Sequence, residues 1–245
     1  MRDIVLIHST ISQEIPTLCV SEIHYLPIYD ALLESNIPPH APQECIDALI
    51  FTSKHAVFSL MQAMAKRKEL SAFAKIPAFA IGEKCAQALT QAGFAVEFVS
   101  STSHGESFAG EIIERANGRK MLYFRAKDIA SNLDLLLTQA QIPLAQITAY
   151  TKQPKPLPQS LKPRPQSVLI FTAPSHYHFF VQNFGWDPSY IAVAIGQTTL
   201  RAFAPSTICY ASPIQSLESC IDLAKILAQR AQNHTAAQSS LKKLK

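Results

Sequence analysis

The sequence predicts an α/β fold of two units, each a parallel sheet covered on both faces by helices. Three observations lead there. Short apolar runs alternate with helical stretches over most of the chain, the pattern of parallel strands joined by helical crossovers. The chain also echoes itself: LIFTSKHAVFSLM (49–61) returns as LIFTAPSHYHFFV (169–181), and FAIGEKCAQAL (79–89) returns as VAIGQTTLRAF (193–203). Each copy reads as a strand, a small or hydroxyl-bearing turn, and a helix. Between the copies lies KQPKPLPQSLKPRP (152–165), whose prolines suit neither a sheet nor a long helix and mark a connector.

The elements follow in order. DIVLIH (3–8), ending at Ser9 and Thr10, reads as a buried parallel strand. SEIHYLPIY (21–29) is extended, and Pro27 confines it to an edge or crossing segment. DALIFT (47–52) is a strand, after which Ser53 is placed to cap a helix over about 54–68. AFAIG (78–82) is a strand turned by Gly82, and the helix 83–92 is closed by Gly93. Then come the strand AVEFVS (95–100), a loop STSHGES, a helix over about 107–115, the strand KMLYFR (120–125), a helix across SNLDLLLTQA and the extended QITAYTK. Beyond the connector the pattern restarts with SVLIFT (167–172), a helix with Pro174 in its first turn, YIAVAIG (190–196), a helix from about Thr198, TICYAS (207–212) and a last helix over about 216–232. These late strands are fewer than those of the middle block, so they are expected to share a sheet with DIVLIH. The predicted division is a discontinuous domain, 1–28 with 155–245, enclosing an inserted domain, 29–154.

At 245 residues and 48% apolar content, the chain can bury substantial cores. Its net charge is +4, but Lys242, Lys243 and Lys245 sit in an acid-free tail, which leaves +1 for the rest. That is not the footprint of a nucleic-acid binder, though it suits an anionic small ligand if the cations converge. Cys19, Cys45, Cys85, Cys209 and Cys220 are too widely spaced for a CxxC pair and odd in number, which fits a reduced cytoplasm. No apolar run approaches the ~20 residues of a membrane span, and MRDIVLIHST lacks the h-region of a signal peptide. The expectation is a cytoplasmic protein with neither a nucleic-acid nor a membrane partner.

Candidate chemistry gathers at the turns. Thr52 and Ser53 follow a strand and open a helix, where free N–H groups and the helix dipole favour anions, although the two hydroxyls also serve as ordinary caps. Thr172 and Ser175 occupy the equivalent turn of the second copy. Gly82 with Glu83, Lys84 and Cys85, and Gly196 with Gln197, Thr198 and Thr199, form a second pair, in which glycine lets a ligand approach the backbone, although a purely structural turn is the default for Gly82, since a single glycine after a strand is common in any α/β fold. Neither GxxxxGK[ST] nor GxGxxG is present, so nucleotide binding has little support. Tyr150, just before the connector, is a phenol protonated at neutral pH and able to act as a general acid, or simply a packed strand tyrosine. His176 and His178 are spaced wrongly for one helix face and lack companion ligands, so no metal site is expected.

In this order the segments resemble the uroporphyrinogen-III synthase family. LIFTSKHAV is similar to the family's IFTSxxAV segment, FAIGEKCAQALTQAGF to xVGxxTAxxLxxxGF, and ITAY to the xxVY strand that leads out of the inserted domain. LIFTAPS is similar to xFTSPS and VAIGQTTLRAFA to AIGPTTAxAL, and the five together span most of 45–225. The resemblance implies two flavodoxin-like domains joined by a two-stranded linker, with a cleft between them as active site. It implies loss of water from linear hydroxymethylbilane, inversion of the terminal pyrrole ring through a spiro intermediate, and closure to uroporphyrinogen III. No metal or organic cofactor is implied. Tyr150 matches the family tyrosine proposed to assist departure of the hydroxyl. Thr52, Ser53, Ser175, Thr198 and Thr199 match hydroxyl positions expected to hold substrate carboxylates, and Gly82 and Gly196 match the turn glycines. Cys85 falls at the matching binding position, where the family usually has Thr. A monomer is expected, with possible transfer of substrate from the preceding enzyme of the pathway.

Other departures stand beside Cys85. Ala173 replaces the usual Ser and Gln197 the usual Pro, while HSTISQEIPTLCV lacks both the usual Arg and the full helix after the first strand. With TICYAS following its helix almost directly, the discontinuous domain reads as abbreviated. The departures also admit a second reading, a non-catalytic two-domain tetrapyrrole- or anion-binding protein that has lost turnover.

Overall fold

A computed structural model of the chain describes residues 2–242 apart from 103, 104 and 130, with side chains of the last helix described to Gln229. The chain opens with strands β1 (Ile4–His8), β2 (Thr17–Cys19) and β3 (Ser21–Tyr25), followed by helix α1 (Ile28–Glu34). Next come β4 (Ala48–Phe51), α2 (Lys54–Lys66), β5 (Ala78–Ile81), α3 (Glu83–Gln91), β6 (Val96–Ser100), α4 (Gly105–Ala116), β7 (Met121–Ala126), α5 (Leu133–Gln139) and β8 (Leu144–Pro154). The last stretch holds β9 (Val168–Phe171), α6 (Pro174–Phe184), β10 (Ile191–Ala194), α7 (Gln197–Leu200), β11 (Ile208–Ala211) and α8 (Leu217–Lys242).

These elements form two compact units, Met1–Glu22 with Gln153–Lys245, and Ile23–Lys152. The boundaries drawn from the sequence, at 28/29 and 154/155, lie a few residues C-terminal of these. Strands β3 and β8 run through both boundaries and are hydrogen-bonded neighbours, so the chain passes between the units along a pair of strands.

The first unit has the sheet order β11-β10-β9-β1-β2 and the second β3-β8-β7-β4-β5-β6. Numbered along the chain, the first is a 2-1-3-4-5 sheet, the flavodoxin-like order. The second gives the same order when β7 and β8 are counted before β4, β5 and β6, so the two sheets are circular permutations of one plan, with β3 added at an edge. The sequence echo therefore marks equivalent places: β4 and β5 lie side by side as β9 and β10 do.

Strand parity explains why these apolar runs are buried on both faces. In β4, Leu49 and Phe51 pack with α2 and α3 through Ala56, Val57, Leu60 and Leu89, while Ala48 and Ile50 pack with α4 and α5 through Phe108, Ile112, Leu133 and Leu137. In β9, Leu169 and Phe171 meet Tyr177 and Phe180 of α6, while Val168 and Ile170 meet Cys220, Ala224 and Leu227 of α8. Among the described residues, no helix is long and apolar enough to cross a membrane.

Two elements were not anticipated. β2 pairs in parallel with β1 across a helix-free crossover, residues 9–16, shorter than the usual dozen or more. Local bonds hold it: Leu6 N donates to Pro16 O, and the Thr17 hydroxyl accepts from Ser12 N and donates to Ile15 O. Helix α1 starts where SEIHYLPIY was read as still extended, because Pro27 ends the edge strand and its fixed φ suits a helix entry. The proline connector contains a single 3₁₀ turn, Gln159–Leu161, and the last helix runs beyond the anticipated 232.

Candidate active site

In a sheet of flavodoxin-like order, ligands bind beyond the carboxyl ends of the strands where the order reverses. In the second unit that point lies between β4 and β7. Ile50 pairs with Tyr123, so Thr52, two residues on, shares the face of Tyr123, and their hydroxyl oxygens lie 2.8 Å apart. Tyr123 is buried, which pushes its pKa up to about 12 against the opposing hydrogen bond from Thr52, and it stays protonated at any ordinary pH.

Ser53 caps α2, its Oγ accepting from His55 N at 3.2 Å. On β8, Tyr150 is 5% exposed, and burial raises its pKa while the Ser53 hydroxyl beside it lowers it. The His55 ring lies 5.6 Å from the Tyr150 ring, centroid to centroid. Burial first, then Lys152 and Lys54, lower the His55 pKa to about 4, so this imidazole is neutral at physiological pH. Its Nδ1 is buried and makes no hydrogen bond among the described residues. Burial also lowers the pKa of Lys152. The backbone around Tyr150 is pinned: Ala149 O accepts from the Ser59 hydroxyl at 2.6 Å and from Leu26 N at 2.9 Å, and Tyr150 O accepts from Lys127 N at 2.8 Å. The structure thus brings Thr52, Ser53 and Tyr150 to one end of one sheet.

Cys85 sits at the same end, but its side chain faces inward. It is 3% exposed, its thiol donates to Phe51 O at 3.6 Å, and burial pushes its pKa up to about 12. The turn before it rests on Gly82 in a backbone conformation, φ +68° and ψ 161°, that is nearly confined to glycine.

The remaining candidates lie in the first unit. Ser175 opens α6 behind Ala173, which makes no side-chain cap, and Pro174 sits in the first turn. Thr172 differs from Thr52, because its Oγ1 lies 3.1 Å from Nδ1 of His176 on its own helix. The rings of His176 and His8, at the end of neighbouring β1, are 5.0 Å apart. Gly196 has φ −169°, an extended backbone open to any residue, so the two AIG turns are not conformational equivalents. Thr198 is exposed, whereas Thr199 is 3% exposed and directed inward. In the present conformation Cys85 and Thr199 therefore offer a solute backbone rather than side chain. His176 is buried and His178 exposed, and among the described residues no three His, Cys, Asp or Glu side chains are grouped to hold a metal ion.

Tyr123, His55 and Lys152 were missed from the sequence. KMLYFR was read as a strand, but nothing local told that β7 lies beside β4.

Fold and site together define a two-unit α/β enzyme whose phenols and hydroxyls stand at the carboxyl ends of flavodoxin-like sheets. The family described as uroporphyrinogen-III synthase HemD matches residues 15–222. The crystal structure of uroporphyrinogen-III synthetase from Helicobacter pylori 26695 is 35% identical, covering 93% of this chain and 100% of that one with a TM-score of 0.78. A mutant uroporphyrinogen III synthase from the extremely thermophilic bacterium Thermus thermophilus, 18% identical over 89% of this chain and 91% of its own, shares the fold at a TM-score of 0.56. Among curated proteins, none matches at the significance required. The chain belongs to the uroporphyrinogen-III synthase family, and it is a cyclising lyase of tetrapyrrole biosynthesis.

Proposed function

We propose that the chain closes hydroxymethylbilane into uroporphyrinogen III with Tyr150 as the general acid. The phenol donates its proton to the terminal hydroxyl as the C–O bond breaks, and water leaves. The resulting electrophilic methylene is attacked by the substituted carbon of the terminal pyrrole, which passes through a spiro centre and inverts. The proton released on closure returns to the phenolate, so bilane becomes macrocycle plus water. The observation that carries this assignment is a buried phenol, raised in pKa and held by its backbone, beside Ser53 and a neutral imidazole. The raised pKa keeps the phenol protonated at neutral pH, the form in which it can donate, and it is the position beside Ser53 and His55 that fits it for that role.

The hydroxyls of Thr52, Ser53, Ser175 and Thr198, with the backbone at Gly82, Cys85, Gly196 and Thr199, hold the acetate and propionate carboxylates. Helix starts favour such anions. Positioning the chain ends together supplies much of the acceleration, because closure competes with spontaneous cyclisation without inversion. We further propose a cytoplasmic monomer that can receive the bilane directly from the preceding enzyme. Five cysteines without disulfides agree with that compartment.

Incubation of the purified protein with freshly generated hydroxymethylbilane tests the reading. The III isomer is expected, and recovery of only the spontaneously formed I isomer would overturn it.

A further inference from the structure

One cavity is not used by the proposed chemistry. It measures about 310 Å³ and lies within the second unit, between the β3–α1 turn and the later half of α2. Gln62 and the C-cap Arg67 stand roughly 14 and 21 Å along the helix from Ser53 at ~1.5 Å per residue, so the charged end of the cavity lies away from the carboxyl ends of the strands, while Leu26 and Ser59 bring its other end close to β8. Two phenol rings, Tyr25 and Tyr29, supply flat apolar surface, and Gln62, Lys66 and Arg67 supply donors. The Arg67 guanidinium lies 4.4 Å from the Tyr29 ring centroid, which holds its N–H fork in a fixed orientation. Among the described residues neither Arg67 nor Lys66 forms an ion pair, and Asp30 is the single carboxylate lining the cavity. Two cations against one anion leave the pocket positive, and its volume falls at the lower end of small-molecule sites.

We propose that this pocket is a second binding site, for a small single-ring aromatic carboxylate held by Arg67 and Lys66 at its charged end and by Tyr25 and Tyr29 at its ring. The site is also wired to Tyr150. Leu26 and Ser59 line the same cavity, and both donate to the carbonyl of Ala149, the residue before Tyr150. A ligand that shifts either donor moves the peptide that sets the phenol. Binding itself does not depend on the catalytic role given to Tyr150.

The test is amide NMR titration of the full chain with 4-hydroxybenzoate, compared with benzylamine and cyclohexanecarboxylate. Saturable shifts at residues 25–30 and 62–67 are expected, with a dissociation constant on the order of 1 mM for so small a ligand. Arg67→Ala should weaken binding by about tenfold or more, and Arg67→Lys by less, since Lys keeps the charge but loses the fork. Benzylamine should shift nothing there, and cyclohexanecarboxylate should bind more weakly. Failure to saturate by ~20 mM, shifts confined to the 52–53 and 172–175 turns, unchanged affinity in Arg67→Ala, or equal binding of either comparison compound overturns the proposal. The spectrum of each variant reports its folding, so loss of binding and loss of structure are told apart.

Discussion

The hydroxyl of Thr52 lies 2.8 Å from the hydroxyl of Tyr123, across the point where the six-stranded sheet reverses its order. Tyr123 is buried and Thr52 partly exposed, so the two partners depend on the bond unequally. Thr52→Val leaves a buried phenol unsatisfied and should cost about 1–3 kcal/mol, whereas Tyr123→Phe leaves a threonine that water can reach and should cost about 1 kcal/mol. The double variant should lose less than the sum of the two. Urea unfolding of the four proteins measures this, and strict additivity would show that the pair is not coupled.

Tyr150→Phe removes a proton donor from a side chain whose ring stays packed. It should lower kcat by about 10²-fold or more with little change in KM, while the thermal midpoint stays close to that of the parent protein. A rate within about twofold of the parent takes Tyr150 out of the mechanism.

The two AIG turns should respond differently to the same substitution. Gly82→Ala places a side chain in a conformation nearly closed to it, although a Cβ would meet no neighbour within 4 Å, and should destabilise by about 1–3 kcal/mol. Gly196→Ala keeps an accessible backbone, and its Cβ would meet the side-chain amide of the exposed Gln215, which can swing away. Its cost should stay below about 1 kcal/mol. Equal losses in denaturant unfolding would contradict this reading.

His55 ties stability to pH. Its folded pKa, about 4, lies below the ordinary 6.5, so between these values the unfolded state binds the extra proton. Stability should fall as pH drops from about 6.5 towards 4, with no further loss from this group below that. His55→Phe, which removes the titrating ring, should lose less stability than the parent between pH 7 and pH 5. Urea unfolding at those two pH values decides it, and identical losses would show that His55 is not the linked group.

Much of this architecture was legible in residue order. Alternating apolar runs announced β4, β5, β7, β9 and β10, and Ser53 and Pro174 announced the starts of α2 and α6, because strand burial and helix capping act over a few neighbouring residues. β2 escaped because three residues that pair only with β1 carry almost no local pattern, and α1 because a seven-residue helix leans on tertiary packing of Ile28 and Leu32.

The candidate site divides along the same line. From the sequence alone came the hydroxyl turns, the tyrosine before the connector and the family motifs, all contained in stretches of a few residues. Tertiary structure decided which of those groups meet. Tyr123 reaches Thr52 from a strand 71 residues away, His55 is held neutral by burial beside Tyr150, and Cys85 and Thr199 turn into the cores. Register, burial and pKa depend on which strands lie side by side, and that follows from long-range pairing that no short stretch of sequence encodes.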